Sequence, residues 1–343
     1  MKYTHLFALS LLALGSTSIA SACDICGCYN PNHVNFTGSN KPLEFYFGAA
    51  EQFTHFGTTR LDGRKTGDSN GQYMNSHITQ FVIGATFLDQ RLSIQANIPF
   101  IYRGYKRPDG FAVDQGNVAG IGDVSLLFNY VLFRTEGMYV DPISKAPGGK
   151  GAVNSSPGEP DFGAMVSITG GMKFPTGDPS RIKEEFKEVD VEGAPLSGIH
   201  GHDLALGSGS IDGIVGMQGL VRYKSVFFQS DIQYSIRGKG RYDYRYANDL
   251  SWSGGPGFYM YRNGSESLAI QFALSGETKG LDKFQGQSAD DTGTTALYIG
   301  PRLLASMGKV RGEVGFELPV VMHSTSFQTT PSYRVRAGLT FRF

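Results

Sequence analysis

The sequence predicts an all-β chain, a transmembrane antiparallel up-and-down β-barrel of about 12 strands, and three observations carry that prediction. The first is the stretch PSYRVRAGLTFRF, from Pro331 to Phe343. Strand side chains alternate with period two, so Tyr333, Val335, Ala337, Leu339, Phe341 and Phe343 share one face while Arg334, Arg336, Thr340 and Arg342 share the other. One face suits hydrocarbon and the other suits water, although an amphipathic edge strand of a soluble sheet would alternate in the same way. The second observation is composition: 46 glycines, 12 % aromatic residues, a single Trp, and no apolar run after residue 22 long enough for a spanning helix. The third is the recurrence of alternating segments of ten or more residues punctuated by turn residues. About 9–11 tilted residues of strand cross the hydrocarbon core.

Residues 1–22 stand apart from this pattern. Lys2, the apolar run Leu6–Leu14 and the small residues Ala20–Ser21–Ala22 have the order of a secretory signal peptide, and the apolar part is too short to span a membrane. The expected organisation is therefore a signal peptide over 1–22, a Cys-rich leader over 23–41 and a barrel over 42–343. A cysteine directly after the cleavage point opens a second reading, acylation of Cys23. The residues before it lack the large aliphatic side chain of the usual lipid-attachment signal. Thirty-one basic residues balance thirty-one acidic ones, and that balance gives no footing for nucleic acid.

The strands are expected at 42–57, 76–88, 91–103, 122–133, 163–174, 210–222, 226–238, 249–261, 267–277, 295–307, 310–321 and 331–343. The clearest hairpin joins the second and third through Asp89–Gln90, and an Asn263–Gly264 pair signals the turn between the eighth and ninth. An even count brings both termini to one side. The turns after strands two, six, eight and ten are then the short periplasmic ones, and the connections after one, three, five and nine the long external ones. The Gly/Pro-rich stretch 136–161 breaks this rule by its length. Alternation turns Lys173, Asp231, Gln233, Arg237, Arg302, Arg311, Glu313, Glu317, Arg334 and Arg336 toward the lumen. Such a face can line a wet conduit, or its charges can pair across the lumen and plug it.

The terminal aromatic strand resembles the closing strand of bacterial outer-membrane barrels. That resemblance implies an outer-membrane location, surrounding lipid as a partner, and recognition of the strand ending at Phe343 by the barrel assembly machinery. Three glycine-punctuated segments, Gly120–Val124, Gly171–Asp178 and Leu206–Ser210, are similar to the GxGD, KxPTGD and LGxGS segments of a family of outer-membrane transporters labelled "MetA pathway of phenol degradation". The resemblance covers about residues 42–343 and implies a channel-like protein for small molecules, without naming a solute.

The leader lies outside that family pattern. Cys23, Cys26 and Cys28 form C-x-x-C-x-C, and His33 follows five residues later. Three thiolates and an imidazole so close together can converge on one soft metal ion, copper or zinc, and three thiolates fall short of the four that an Fe–S cluster usually takes. In an oxidising compartment two of the three can instead form a disulfide.

Weaker features complete the reading. His200–Gly201–His202–Asp203 could supply metal ligands at the outer mouth or be simply solvated, and the charged run from Arg181 to Val191 reads as a solvated external helix or loop. Tyr242, Tyr244, Tyr246, Trp252, Tyr259 and Tyr261 read as an interfacial aromatic girdle. Ser76–His77 and His323–Ser324 are the only pairs suggestive of an outer-membrane lipid hydrolase, and adjacent strand residues point to opposite faces. The expected function is a channel or transporter for small-molecule or metal solutes, not an enzyme. The alternative is a plugged or structural barrel whose cysteines form a disulfide.

Overall fold

The computed structural model describes residues 43–135, 161–187, 191–263 and 265–343. The signal peptide, the leader with Cys23, Cys26, Cys28 and His33, and residues 136–160 lie outside the described residues.

The chain runs through β1 (Leu43–Leu61), β2 (Arg64–Lys65), β3 (Tyr73–Phe87), β4 (Leu92–Asp109), β5 (Ala112–Ile121), β6 (Ser125–Arg134), β7 (Phe162–Lys173), β8 (Asp212–Tyr223) and β9 (Val226–Ile236). It continues through β10 (Tyr244–Arg245), β11 (Asp249–Asn263), β12 (Glu266–Lys279), β13 (Asp282–Phe284), β14 (Gln287–Ala289), β15 (Thr294–Met307), β16 (Val310–Ser324) and β17 (Phe327–Arg342). Twelve of these form the wall, in the order β1, β3, β4, β6, β7, β8, β9, β11, β12, β15, β16, β17, each antiparallel to its neighbour. β17 returns to pair with β1, from Tyr46 opposite Arg342 to Leu61 opposite Phe327, so the sheet has no free edge. A closed sheet satisfies every backbone group of its own strands, and the wall can therefore stand in lipid.

The two faces divide as the alternation requires. On β17, Arg334, Arg336, Thr340 and Arg342 are buried inside, while Leu339 and Phe341, and Phe343 just beyond the strand, are exposed on the outer face. On β1, Leu43, Phe45 and Phe47 are exposed outside, and Glu44, Tyr46 and Gln52 are buried within. This inverted partition, apolar side chains exposed and charged ones buried, marks a barrel whose solvent outside is lipid.

Several expected boundaries move. The stretch 105–121 is not a loop: β5 pairs with the outer part of β4, Ala112 opposite Asp109 through Ile121 opposite Phe100, while β6 pairs with the inner part. One long strand thus serves two partners. The closing strand begins at Phe327 rather than Pro331, because β16 and β17 meet in a tight turn where Ser326 has φ 51. Pro331 is accommodated by an irregularity in the β1–β17 ladder, where its missing N–H breaks the register between His55 and Thr58.

Candidate functional site in the barrel lumen

The connection from β7 to β8 folds into the barrel. Arg103, lumenal on β4 and fully buried, donates from Nη1 to the carbonyl oxygens of Asp203 and Ala205, both at 2.7 Å. Thr329 N of β17 donates to Gly198 O at 2.7 Å, and Gly198 N donates to Gln72 Oε1 at 2.8 Å. Apolar residues seat the same loop: Leu206 packs on Ile78 and Ile101, and Ile199 and Leu204 pack among Phe56, Met74 and Tyr105. The loop therefore crosses the outer half of the lumen to β17 and β1 and returns to β8.

Both roots of this loop are pinned at one point, and the three glycine-punctuated segments make that point. Lys173, at the end of β7, sends its Nζ 2.8 Å from Asp123 Oδ2, 2.8 Å from Asp212 Oδ2 and 2.9 Å from Ser208 Oγ. Asp123 also accepts from Gly177 N on the outgoing root at 3.0 Å and from Ser208 N on the returning root at 2.8 Å. Asp212 is held in turn by Arg237 Nη1 at 2.9 Å, and Arg237 continues to Asp249. Glycine is demanded by proximity here: a Cβ on Gly207 would lie 2.5 Å from Asp123 Oδ1, and one on Gly177 would lie 2.5 Å from Leu206 O. Spacing in the sequence signals strand exits at these segments but not that they converge.

Next to the latch lies a histidine cluster. His202 Nδ1 stands 3.0 Å from Glu185 Oε1 and its Nε2 stands 3.4 Å from Asp203 Oδ1, while His200 Nε2 faces Asp291 Oδ2 at 3.2 Å. The two imidazoles stack at 5.6 Å, and the His202 ring stacks at the same separation on Tyr244. Burial alone would lower the pKa of His202, but Asp203 and Glu185 outweigh it and hold the ring well above the ordinary imidazole range. Burial pushes the Glu185 carboxyl up, and His202 outweighs that and draws it below the usual carboxylate range.

Three sequence expectations are corrected here. The run from Arg181 is not a solvated external helix: Ser180–Phe186 forms a 3-10 turn with Ile182 fully buried and Glu185 turned onto His202. Tyr244 and Tyr246 are not girdle residues, because the β9–β11 connection folds inward and buries them against Ile182 and Ala205, and neither is Tyr259, which packs on Phe227 inside the lumen. Nor are the histidines solvated or arranged for a metal; among the described residues no group of three or more His, Cys, Asp and Glu is placed to hold one.

On the opposite wall the expected lumenal charges meet one another. Glu317 Oε1 is 3.3 Å from both Arg302 Nη2 and Arg336 Nη1, and its Oε2 accepts from Ser275 Oγ at 2.9 Å. Arg334 reaches Glu277 Oε1 at 3.1 Å with its guanidinium 4.0 Å from the Tyr298 ring centroid. Nearer the short-turn end the lumen wall becomes apolar, with Val131, Met165, Leu220, Phe227 and Ala269 packed together. Ser76 and His77 divide between the faces: Ser76 is buried inside and accepts from Arg103 Nε at 3.4 Å, while His77 bonds Glu51 on the outer face.

No family model matches the chain, and no curated protein matches it in sequence. In structure it is similar to the COG4313 outer membrane channel from Pseudomonas putida F1, with TM-score 0.57 and 12 % identity over 92 % of this chain and 100 % of that one. The fold is that of a closed twelve-stranded outer-membrane β-barrel. The beta domain of the Bordetella autotransporter BrkA (TM-score 0.43, 8 % identity, 88 % of this chain and 100 % of that one) is a more remote likeness. So is the CymD monoaromatic hydrocarbon channel (TM-score 0.34, 11 % identity, 88 % of each chain).

Proposed function

We propose that this chain is a passive channel for small solutes whose lumen is closed at rest by the infolded β7–β8 loop. The observation that carries the reading is that both roots of the loop converge on one polar latch, Asp123 and Lys173. The contacts that seat the loop all lie outside the wall's own ladder, so its withdrawal leaves the barrel closed on itself. The three segments that build the latch are the ones that resemble segments of the family labelled "MetA pathway of phenol degradation", and a shared structural role for them is in keeping with that resemblance. Liposome swelling with uncharged solutes of graded size tests the proposal: size-dependent swelling is expected, and none at any size overturns it.

A second reading, a permanently plugged barrel, is favoured by the pairing of Glu317 with Arg302 and Arg336 across neighbouring strands. The same swelling measurement separates the two. No catalytic role is assigned to the chain.

The leader over 23–41 is read as a metal-binding segment delivered to the periplasmic side by the signal peptide over 1–22. Cys23, Cys26, Cys28 and His33 would hold copper or zinc through three thiolates and an imidazole. Titration of the mature protein with copper(I) and with zinc, beside a form with all three cysteines replaced by serine, tests this. Stoichiometric binding lost in the serine form is expected, and equal binding by both removes the idea. Assembly through the strand ending at Phe343 belongs to the same reading.

A further inference from the structure

At the short-turn end of the lumen, one guanidinium has no counterpart. Arg311 faces inward on β16, opposite Ser306 of β15 and Thr340 of β17. Among the described residues it makes no hydrogen bond or ion pair; the charged and ionisable groups around it are Arg342, Glu44 and Tyr259. Glu44 is already engaged by Arg342 at 3.4 Å. The Thr340 side chain beside it is 2 % exposed, and its hydroxyl oxygen finds no partner. The Ser306 hydroxyl is occupied by Ser267 at 2.7 Å. Burial shuts the Thr340 hydroxyl off from the lumen, whereas Arg311 is only half-buried and has no anion of its own.

The neighbouring surface is apolar and aromatic. Tyr259 packs its ring on Phe227 with centroids 4.9 Å apart. Leu304, two residues before Ser306 and on the same face, joins the cluster of Met165, Leu220 and Phe227. A ligand that satisfied Arg311 would therefore lay its uncharged part on rings and aliphatic side chains.

We infer that Arg311 forms a lumenal subsite for a small aromatic monocarboxylate. The planar guanidinium fork matches a carboxylate, and the ring of the solute lies against Tyr259 where it packs on Phe227. Glu44, placed behind Arg342, disfavours a second negative charge, which selects monoanions over dianions. The inference deepens the channel reading and rests on it for the solute's passage, but binding alone can be measured separately.

Equilibrium binding of benzoate to the detergent-folded full chain, beside benzyl alcohol and chloride, is the test. Benzoate is expected to bind at least about tenfold more tightly than either, and Arg311→Gln to weaken it by about tenfold or more, since hydrogen bonds to charged groups are the strong ones. Arg311 leaves no partner behind when removed, so this variant is expected to fold, as heat-modifiable mobility will report. Arg311→Lys, which keeps the charge and loses the planar fork, supplies a second, smaller lesion expected to weaken benzoate and leave benzyl alcohol unchanged. Equal binding of benzyl alcohol, or undiminished benzoate binding by both variants, overturns the subsite. Benzoate binding without solute-driven swelling would sustain the subsite and remove the channel reading; swelling without benzoate binding would do the reverse.

Discussion

The Lys173 ammonium lies 2.8 Å from a carboxylate oxygen of Asp123, and both side chains are almost completely shielded from solvent. Asp123 follows β5 and Lys173 ends β7, so this contact ties two strand ends to each other and, through Ser208, to the β7–β8 loop.

Replacing Lys173 with Met leaves Asp123 and Asp212 buried without their shared cation, and breaking a buried ion pair from one side costs about 3–5 kcal/mol. The loop is expected to leave the lumen before the wall unfolds, because the barrel ladder is untouched. Limited proteolysis between residues 191 and 199 is expected to be faster in Lys173→Met than in the parent, with heat-modifiable mobility retained. Unchanged proteolysis would count against the latch.

Gly207→Ala probes the same point by shape. Its Cβ would lie 2.5 Å from Asp123 Oδ1 and 2.7 Å from backbone atoms of Gly177, neither of which can swing aside as a long side chain would. Overpacking of this kind costs about 1–3 kcal/mol. The expected outcome is faster proteolysis of the loop, smaller than for Lys173→Met. Gly193→Ala, where a new Cβ meets nothing within 4 Å, strains only its own backbone and is expected to leave the latch bonds in place.

The histidine cluster makes loop seating depend on pH. His202 is held above its ordinary value, so its contribution is full below about pH 6.5 and is lost as pH rises through the raised folded value. Glu185 and Asp203 are held below theirs, so their contribution is full above about pH 4 and is lost as pH falls through the depressed folded values. The loop is thus held most firmly between about pH 4 and about pH 6.5, and less firmly as pH rises toward the folded value of His202. Imidazole nitrogen shifts of His202 in NMR are expected to report a protonated ring at pH 7; a midpoint at or below 6.5 contradicts the assignment.

The outward face is expected to tolerate apolar exchange but not charge. Ile83, exposed on β3 among the lipid-facing side chains, sits between Phe47 and Ala96. Ile83→Arg is expected to cost about 2–4 kcal/mol in unfolding from bilayers, the range for a cation near the midplane. Ile83→Leu is expected to cost little. Equal stability of Ile83→Arg and the parent would place that face in water.

The wall was legible in the sequence because a half-lipid, half-water strand writes its burial directly into alternate residues, as the β17 arginines and aromatics do. The strand count and the short turns followed from the same period. The lumen was less legible. Asp123, Lys173 and Ser208 each stand at a strand exit marked by glycine, yet no local period reports that those exits meet. Tyr244 and Tyr246 mislead for a related reason: an aromatic at a barrel end looks the same whether its loop turns outward to the interface or inward onto Ile182. β5 escaped notice because glycines and polar residues along 112–121 suit a loop, and only pairing to the extended β4 makes them a strand.

The most direct test of a lumen closed by a releasable loop is single-channel conductance in planar bilayers for the parent and for Asp123→Asn, which keeps the shape of the latch and removes its charge. Small, infrequent openings are expected from the parent and larger, longer ones from Asp123→Asn. Identical conductance in both, or silence from both, would contradict the account.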